Sequence, residues 1–280
     1  MARRLVDAQF PKWADLPIKP LSISGSDNSI FRLGDELTLR FPRVEWAAQT
    51  APREVAILGA LGKLPLDVPR PRALGEPDAN YPWQWSVFDW IEGEAASAAD
   101  LSAEDAEGLA SFILALRQET PDLTFASSSQ NHHRGVPLSE RDVLTRTAID
   151  TLSDEYGARD LLSIWQAALD ARCEHEPVWL HGDLHGGNLL VREGKLVAVI
   201  DWGLAGVGDG ACDLAAAWTL MDAQVRDRFR EVLKPNADEW LRGMGWALSI
   251  AVIFLAHYRA LGVPVDGSRR TLSRLLASQL

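Results

Sequence analysis

The chain has 280 residues, 47% of them hydrophobic and 24% charged, which is typical of a globular protein with one large or two modest domains. Its formal net charge is −11, its pI is about 5.0, and no stretch of it forms a basic stripe. These values exclude the usual nucleic-acid-binding surface, so we expect no nucleic-acid partner. An acidic surface can attract cationic small molecules, although many proteins are acidic only for solubility.

Cellular location is indicated by three further features of the sequence. Cys173 and Cys212 lack the spacing of metal ligands, which predicts reduced structural thiols in a cytosolic protein. The N-terminus has no apolar segment typical of a signal peptide. The longest apolar run, residues 244–258, is too short to span a bilayer. We therefore expect a cytoplasmic protein without a membrane partner, and the sequence leaves its oligomeric state open.

The first third of the chain alternates in the manner of β-strands. Turn-forming residues separate three short runs, at 21–24, 29–33 and 36–41. The first turn contains Ser26 and Asn28, and its small residues would let backbone N–H groups approach the phosphates of a nucleotide. Considered alone, this turn is more typical of an ordinary hairpin loop. Its position relative to later motifs makes Ser26 and Asn28 candidate nucleotide contacts.

A helix is predicted over residues 51–61, with Thr50 as its N-cap and Pro52 in its first turn. Glu54 lies on the apolar face of this helix, where an unpaired carboxylate would be costly to bury. Arg40 ends the preceding strand, and an Arg40–Glu54 ion pair would explain both residues. The alternatives are a surface arginine on an edge strand and a boundary glutamate that reaches water.

The remaining elements divide the chain into two parts. Residues 83–91 form an aromatic strand that Glu92 and Gly93 interrupt, and a helix capped by Ser102 follows. More helices are predicted near residues 139–155, 158–173, 213–232, 238–261 and 267–279. The pattern predicts an α+β protein with a small β-rich lobe at residues 1–91, which contains one helix, and a larger helical lobe at residues 92–280.

The most specific motif begins at His181, with Asp183 two residues later and Asn188 five residues after that. This spacing matches the catalytic loop of kinases, in which the Asp positions the accepting hydroxyl and the Asn holds Mg²⁺. A hairpin over residues 189–200, with its turn at 193–194, then delivers Asp201 at the end of a strand. Two carboxylates and an amide oxygen suit Mg²⁺, so Asp183 is the candidate catalytic residue and Asn188 and Asp201 are the candidate metal ligands.

Two alternatives apply to this region. A metallophosphoesterase would need several more histidines, but after His185 the sequence contains only His257, so that interpretation fails. His181 is expected to hold the loop by hydrogen bonding, whereas His185 could lie near the phosphate or at the surface. Asp213 is expected either to cap the following helix or to anchor a loop.

In kinases, one strand of the small lobe carries a lysine that binds the α- and β-phosphates. The corresponding strand of this chain ends in Arg40. No lysine lies between Lys19 and Lys63, so Arg40 is the candidate clamp, and Arg43 is less well placed. Arginine can hold phosphate bidentately but is bulkier than lysine.

These motifs together resemble the aminoglycoside phosphotransferase family. The resemblance rests on three segments, 181–189, 200–202 and 208–215, and extends more weakly over residues 25–43, Glu54 and the connector 88–93. Two departures are Arg40 in place of lysine, as in the macrolide phosphotransferase branch, and Gly210 where proline is common. No Ala-Pro-Glu element follows Gly203, so a protein kinase is disfavoured.

The resemblance implies a two-lobed protein-kinase-like fold that uses Mg²⁺ with ATP or GTP. It also implies that the backbone of Phe88, Asp89, Trp90 and Ile91 forms the adenine-binding hinge. Three functions stay open: a kinase for an aminoglycoside or macrolide, a metabolic kinase for a sugar or amino alcohol, and a nucleotide-binding regulatory protein. The first is favoured, and acidic residues in the helical lobe, such as Asp209, would favour a cationic acceptor.

Overall fold

The computed structural model describes residues 1–21, 27–96 and 101–278. Its strands are β1 (Ile18–Pro20), β2 (Asn28–Leu33), β3 (Leu37–Pro42), β4 (Pro71–Gly75), β5 (Trp85–Asp89), β6 (Glu94–Ala95), β7 (Val178–Leu180), β8 (Leu189–Arg192), β9 (Lys195–Val199) and β10 (Gly206–Gly208). Its helices are α1 (Ala2–Gln9), α2 (Glu45–Ala60), α3 (Ala103–Gln118), α4 (Asp142–Thr151), α5 (Ala158–Asp170), α6 (Ala216–Thr219), α7 (Ala223–Leu233), α8 (Ala237–Tyr258) and α9 (Asp266–Ala277).

The N-terminal part is built on one antiparallel sheet with the strand order β1-β2-β3-β5-β4. Its core is aromatic, since Phe41 stacks on Trp85 with ring centroids 4.6 Å apart. Leu5 and Val6 of α1, a helix that the sequence did not predict, are fully buried in the same core. This packing makes the sheet a firm support for the residues at the end of β3.

The sequence predicts the first strand at residues 21–24, of which only Leu21 lies within the described residues. The structure places β1 earlier, at Ile18–Pro20, and the N–H of Leu21 donates to the carbonyl of Ile30 at 3.0 Å just beyond it. Residues 22–24 and Ser26 lie outside the described residues. Prolines before and at the end of β1 obscured it in the sequence, but an edge strand tolerates proline.

The helix expected to start after Thr50 begins at Glu45 instead. Thr50 is not its N-cap, because the Thr50 hydroxyl donates to the carbonyl of Ala47 within the helix. Pro52 therefore lies in the helix interior, where it removes one backbone hydrogen bond. Burial of Ala47 and Ala51 shows why the extra turn forms, since both pack against the protein.

The C-terminal part is mostly helical, and α3 follows the prediction. The hydroxyl of Ser102 accepts from the N–H of Asp105, and the Asp105 carboxylate accepts from the N–H of Ser102, which is a capping box. α8 lies at the centre and contacts α5, α9 and the 3₁₀ segment Gly210–Ala215. Trp165 and Trp246 are fully buried there, so the large core supports the loops that precede α6.

The single helix predicted over residues 213–232 is divided in the structure. The 3₁₀ segment Gly210–Ala215 leads into the short α6, and α7 begins separately. The break arises because Asp222 acts as an N-cap, its carboxylate accepting from the N–H of Val225. This bend carries the chain around α3, against which α7 packs.

α8 with the 3₁₀ turn after it, Ala237–Leu261, is long and apolar enough to cross a membrane by length and composition, with a mean hydropathy of 1.4 in its best window. Half of that window is buried inside the protein. Core helices of globular proteins pass the same test, so this is weak evidence for a span. The absence of a membrane partner stays a prediction.

Candidate active site

Asp213 fixes the start of the predicted catalytic loop, which follows β7. Its two carboxylate oxygens accept from the N–H groups of His181 and Gly182, each at 2.8 Å. Gly182 has φ of +79°, and a Cβ at this position would lie 2.7 Å from the carbonyl oxygen of Leu204. Glycine is therefore required here. The loop-anchoring role predicted as one alternative for Asp213 is confirmed, whereas Asp213 caps no helix because α6 follows Ala215.

His181 is fully buried beneath the loop. One of its ring nitrogens lies 3.1 Å from the carbonyl oxygen of Ile200, and the other accepts from the N–H of Asp183 at 3.3 Å. Burial lowers the pKa of this imidazole, so it is neutral at pH 7. The expectation that His181 holds the loop by hydrogen bonding is confirmed.

Asp183 lies where three polar side chains meet. The side-chain amide of Asn188 donates to the backbone carbonyl of Asp183 at 3.0 Å and to its carboxylate at 3.2 Å. His185 and Arg134 each approach the carboxylate to 3.5 Å. Burial raises the pKa of the Asp183 carboxyl, but the His185 hydrogen bond and the Arg134 charge outweigh burial and hold the pKa well below its usual range. Asp183 is thus an ionised hydrogen-bond acceptor.

The predicted hairpin is present as β8 and β9, joined by a turn in which Glu193 and Gly194 both have positive φ. Asp201 follows β9 and also has positive φ, at 64°, which turns its carboxylate out of the strand. The carboxylate is half exposed and accepts from Arg40 at 2.9 Å. The hairpin therefore brings a second carboxylate to the loop that carries Asp183.

The predicted ion pair between Arg40 and Glu54 is confirmed, with a distance of 2.7 Å. Glu54 is only 2% exposed, and the same oxygen also accepts from the N–H of Trp202 at 2.9 Å. Burial raises the pKa of the Glu54 carboxyl and Arg40 opposes this rise. One carboxylate of α2 thus fixes both the strand that carries Arg40 and the residue after Asp201.

Arg40 differs from Arg43 as the sequence led us to expect. Arg40 is largely buried and joins Glu54 to Asp201, whereas Arg43 is exposed and donates to the hydroxyl of Ser29. Asn28, the other candidate nucleotide contact, begins β2 opposite Pro42. It therefore lies at the same end of the sheet as Arg40.

The predicted hinge begins within the last two residues of β5 and continues to Ile91. The side chain of Phe88 is buried, and the N–H groups of Asp89 and Trp90 donate to the carbonyls of Arg70 and Glu36. Among the described residues, the N–H of Ile91 makes no backbone hydrogen bond. That N–H is therefore the donor left available at the predicted hinge.

Sequence patterns missed three arginines around this site. Arg134 contacts Asp183, as described above. Arg53, the neighbour of Glu54 on α2, donates to the carbonyls of Ala205 and Phe125 across the junction of the two parts. Arg242 binds Asp209 with two hydrogen bonds, of 2.7 and 3.1 Å. No local motif marks these residues, because each acts on a partner distant in sequence.

The pairing of Asp209 with Arg242 bears on whether the acceptor molecule is expected to be a cation. Asp209 was expected to favour a cationic acceptor, but its carboxylate is buried and its charge is balanced. The cleft beside it, of about 380 Å³, contains both partners. A second cleft of about 500 Å³ between α2 and residues 124–132 is lined by Trp46, Phe125, His132 and Arg53 but by no carboxylate. Neither cleft offers a cation an unpaired cluster of acids.

The side chains present suit a Mg²⁺ ion that takes its remaining ligands from water and from the phosphates of a nucleotide. Among the described residues no group of three or more His, Cys, Asp or Glu side chains could hold a metal by itself. Magnesium usually takes one or two protein ligands and completes its shell with water and substrate phosphates. Asn188 donates its amide N–H groups to Asp183, which leaves its carbonyl oxygen as a potential ligand beside Asp201.

Comparisons with known proteins identify the family of the chain. Residues 17–246 match the family model described as the phosphotransferase enzyme family, APH. An aminoglycoside 3'-phosphotransferase of Escherichia coli is 47% identical over 47 residues, a match that spans 17% of this chain and 17% of that protein.

Solved structures show the same fold. The GDP complex of aminoglycoside 2'-phosphotransferase-IIIa has a TM-score of 0.70 at 17% identity, covering 100% of this chain and 98% of that one. The macrolide 2'-phosphotransferase of Brachybacterium faecium has a TM-score of 0.62 at 19% identity, covering 97% and 98%. The predicted two-lobed, kinase-like α+β fold is confirmed. Since the family model covers most of the sequence, the chain belongs to the APH phosphotransferase enzyme family.

Proposed function

We propose that the protein transfers the γ-phosphoryl group of ATP or GTP to a hydroxyl group of a small molecule. The observation that carries this proposal is the ionised Asp183, which lies beside Asn188 on a loop joined by a hairpin to Asp201. The family match supports it, as do structural neighbours solved with ADP and with GDP.

Asp183 is assigned to the acceptor hydroxyl. The hydroxyl oxygen attacks the γ-phosphorus while the bond to the β,γ-bridging oxygen breaks, and ADP or GDP departs with that electron pair. The hydroxyl proton passes to Asp183. Because the carboxyl pKa is well below its usual range, Asp183 is a weak base, and its main contribution is to orient the hydroxyl.

The nucleotide is assigned to the cleft between the sheet and the hairpin. Ile91 offers its backbone N–H to the base, with Phe88, Asp89 and Trp90 shaping the hinge, and Asn28 would lie near the phosphates. Ser26, outside the described residues, stays a candidate phosphate contact. Arg40 would bind phosphate with the nitrogen that now donates to Asp201 while keeping its bond to Glu54.

Asn188 and Asp201 would hold Mg²⁺, which when bound would neutralise charge on the phosphates. Arg40 donates to one carboxylate oxygen of Asp201 at 2.9 Å, so the other oxygen is left for a metal. Release of the first oxygen would free Arg40 for phosphate. The two roles are therefore compatible.

Aminoglycosides and macrolides are the first acceptors to assay, because the structural neighbours include kinases for both. A metabolic hydroxyl compound is the second candidate. The specific observation that favours it is the pairing of Asp209 with Arg242, which removes an expected site for a cation. A cytoplasmic location and a boundary between lobes at residues 91 and 92 complete the proposal.

The test is nucleotide consumption with Mg²⁺ and a panel of aminoglycosides, macrolides, sugars and amino alcohols. Wild-type protein should phosphorylate at least one compound, and Asp183→Asn should do so roughly 10²–10⁴-fold more slowly. Asp154→Asn is the matched control, since Asp154 is an exposed acid of the same lobe. Absence of nucleotide binding by the wild type would contradict the proposal outright.

A further inference from the structure

The cleft of about 500 Å³ between α2 and residues 124–132 is not used by the nucleotide as assigned above. Its volume is within the range of about 300–1,000 Å³ that is typical of small-molecule sites. One wall is α2, from the N-terminal part of the chain, and the other belongs to the helical part. The cleft is therefore a candidate site for the second substrate, provided that it lies next to the reacting centre.

The α2 wall of the cleft contacts the backbone that follows Asp201. Arg53 of α2 lines the cleft and donates to the carbonyl of Ala205. Thr50, which also lines it, lies across Gly203 from Asp201. A Cβ at Gly203 would be 3.5 Å from the Thr50 side chain and 3.8 Å from the Asp201 carboxylate. One residue therefore separates this wall of the cleft from the candidate metal ligand.

The opposite wall leads to Asp183. His132 lines the cleft, and Arg134, two residues later, approaches the Asp183 carboxylate to 3.5 Å. Two residues span at most about 7 Å. The side-chain amide of Asn131 fixes this turn, since it donates to the carbonyls of Arg134 and Leu204 at 2.9 and 3.3 Å. The cleft is therefore adjacent to both carboxylates of the reacting centre.

An aromatic pair joins the two walls of the cleft. Trp46 of α2 is 42% exposed, and its ring centroid is 5.1 Å from that of His132. Phe125 lines the same cleft and is partly buried. Aromatic rings stack on other flat rings with a gain beyond the burial of apolar area. The exposed indole therefore favours a ligand with a flat ring.

The cleft has a positive charge that no acid within it balances. Arg53 forms no ion pair among the residues that the structure describes. Its terminal nitrogens donate to the carbonyls of Ala205 and Phe125, and its Nε is buried without an acceptor. None of the described side chains that line the cleft is a carboxylate. A guanidinium in this setting repels cations and favours ligands that accept hydrogen bonds.

Two glutamines supply groups that suit hydroxyls. Gln49 of α2 and Gln130 of the opposite wall are exposed, and their side-chain amides form no hydrogen bond within the described part of the chain. Each amide offers both donors and an acceptor, as a hydroxyl does. The polar lining therefore suits a hydroxyl compound.

We propose that this cleft holds the acceptor, and that the acceptor is a hydroxyl compound with a flat unsaturated ring and no positive charge. The inference rests on the proposed phosphotransfer at Asp183 and narrows its acceptor. The ring stacks on Trp46, and the hydroxyl that receives the phosphoryl group extends to Asp183. A polycationic acceptor would meet Arg53 without a carboxylate to balance it, which costs affinity.

The experiment measures ligand binding by calorimetry on the full chain, with Mg²⁺ and a non-hydrolysable ATP analogue filling the nucleotide site. Four β-glucosides that differ only in the aglycone are compared: methyl, phenyl, 4-carboxyphenyl and 4-(aminomethyl)phenyl. Phenyl glucoside should bind about 3- to 10-fold more tightly than methyl glucoside, because its ring can stack. The aminomethyl compound should bind most weakly of the three aryl glucosides. Equal binding of phenyl and methyl glucosides, or tightest binding of the aminomethyl compound, overturns the site.

Trp46→Ala should remove the advantage of phenyl over methyl glucoside, and Trp46→Phe should keep most of it. Phe254→Ala is the matched control, because Phe254 is 37% exposed, contacts the ring of Tyr258 and lies on α8 outside the cleft. The control should bind every probe as the wild type does. An unchanged advantage in Trp46→Ala, or an equal loss in Phe254→Ala, would contradict stacking on Trp46.

A second variant tests the charge preference. Gln49→Glu places a carboxylate in the cleft, so it should tighten binding of the aminomethyl compound by about 2- to 5-fold, as an exposed ion pair does. It should weaken binding of the carboxyphenyl compound. Gln224→Glu is the matched control, because Gln224 is exposed on α7 and does not line the cleft. Equal effects of the two variants would show that net charge decides affinity, and would overturn the site.

Competition separates an acceptor site from a remote one. Phenyl glucoside should inhibit phosphorylation of an accepted compound competitively with that compound. Non-competitive inhibition would place the bound ring away from the acceptor and overturn the inference. Failure of the proposed function gives a different result, because the ATP analogue would then not bind. Binding of the ATP analogue without any binding of the four glucosides overturns only the assignment of the cleft.

Discussion

Two clusters of charged side chains flank the reacting centre, and they differ in the ratio of acidic to basic groups. The nucleotide-side cluster has one cation between two carboxylates: Arg40, Glu54 and Asp201. The acceptor-side cluster has one carboxylate between two basic groups: Asp183, Arg134 and His185. Carboxylates therefore outnumber basic groups in the first cluster, and basic groups outnumber carboxylates in the second.

This difference is visible in the two central carboxylates. Burial raises the pKa of Glu54 despite its partner Arg40, whereas the basic neighbours of Asp183 overcome burial and lower its pKa. Excess negative charge on the nucleotide side suits Mg²⁺ and a phosphate-bound arginine. The basic neighbours on the other side keep Asp183 ionised.

The largest expected effect comes from removing the one carboxylate of the acceptor-side cluster. Asp183→Asn should lower turnover by roughly 10²–10⁴-fold, since it loses the hydroxyl acceptor. Nucleotide affinity should stay within about twofold, because Asp183 belongs to the other side. Steady-state kinetics and calorimetry measure the two quantities, and an equal loss in both would show that the clusters are not separate.

A second prediction removes a carboxylate from the nucleotide-side cluster. Mg²⁺ with ATP or GTP should stabilise the wild type by about 2.7 kcal/mol at roughly a hundredfold excess over the dissociation constant. Asp201→Ala should abolish the part of this stabilisation that depends on Mg²⁺. Thermal unfolding with and without EDTA measures it, and full Mg²⁺ dependence in the variant would exclude Asp201 as a ligand.

The third prediction tests whether the nucleotide-side cluster acts as a unit. Arg40→Ala and Glu54→Ala should each weaken nucleotide binding, and the double variant should lose less than the sum, by about 0.5–3 kcal/mol. Arg43→Ala is the control, because Arg43 is exposed and contacts Ser29. Strict additivity of the two losses would show that the 2.7 Å ion pair has no role in binding.

The smallest effect concerns His185 on the acceptor side. Burial opposes the charged form of His185, but its hydrogen bond to Asp183 outweighs burial and raises the pKa. A raised pKa gives stability that is fully present below about pH 6.5, the unfolded value, and lost as pH rises through the folded value.

The free energy of unfolding of the wild type minus that of His185→Gln should therefore be larger at pH 5 than at pH 9. The difference should be about 0.2–1 kcal/mol, because the side chain is half exposed. Urea titration at both pH values measures it. A difference that grows toward pH 9 would contradict the assigned pairing with Asp183.

The two clusters also differ in how far the sequence predicts them. Arg40 and Glu54 could be paired because a carboxylate on an apolar helix face needs a cation. Asp183 and Asn188 are close in sequence, and a short hairpin brings Asp201 to them. Local patterns are sufficient for contacts of this kind.

Arg134 could not be identified in the same way. Its partner Asp183 lies 49 residues away, and only tertiary packing brings the two together. The predicted start of α2, after Thr50, was wrong for a related reason. A proline is expected in the first turn, but burial of Ala47 and Ala51 extended the helix beyond it.

Arg53 and Glu54 are adjacent on α2, and both bind the segment after Asp201, at Ala205 and Trp202. The helix is therefore tied to the hairpin side at two consecutive residues, and it is tied to the sheet by the ion pair with Arg40 and by packing against β4 and β5. A tilt of the sheet when a nucleotide enters would therefore be transmitted through α2 to the backbone that follows Asp201.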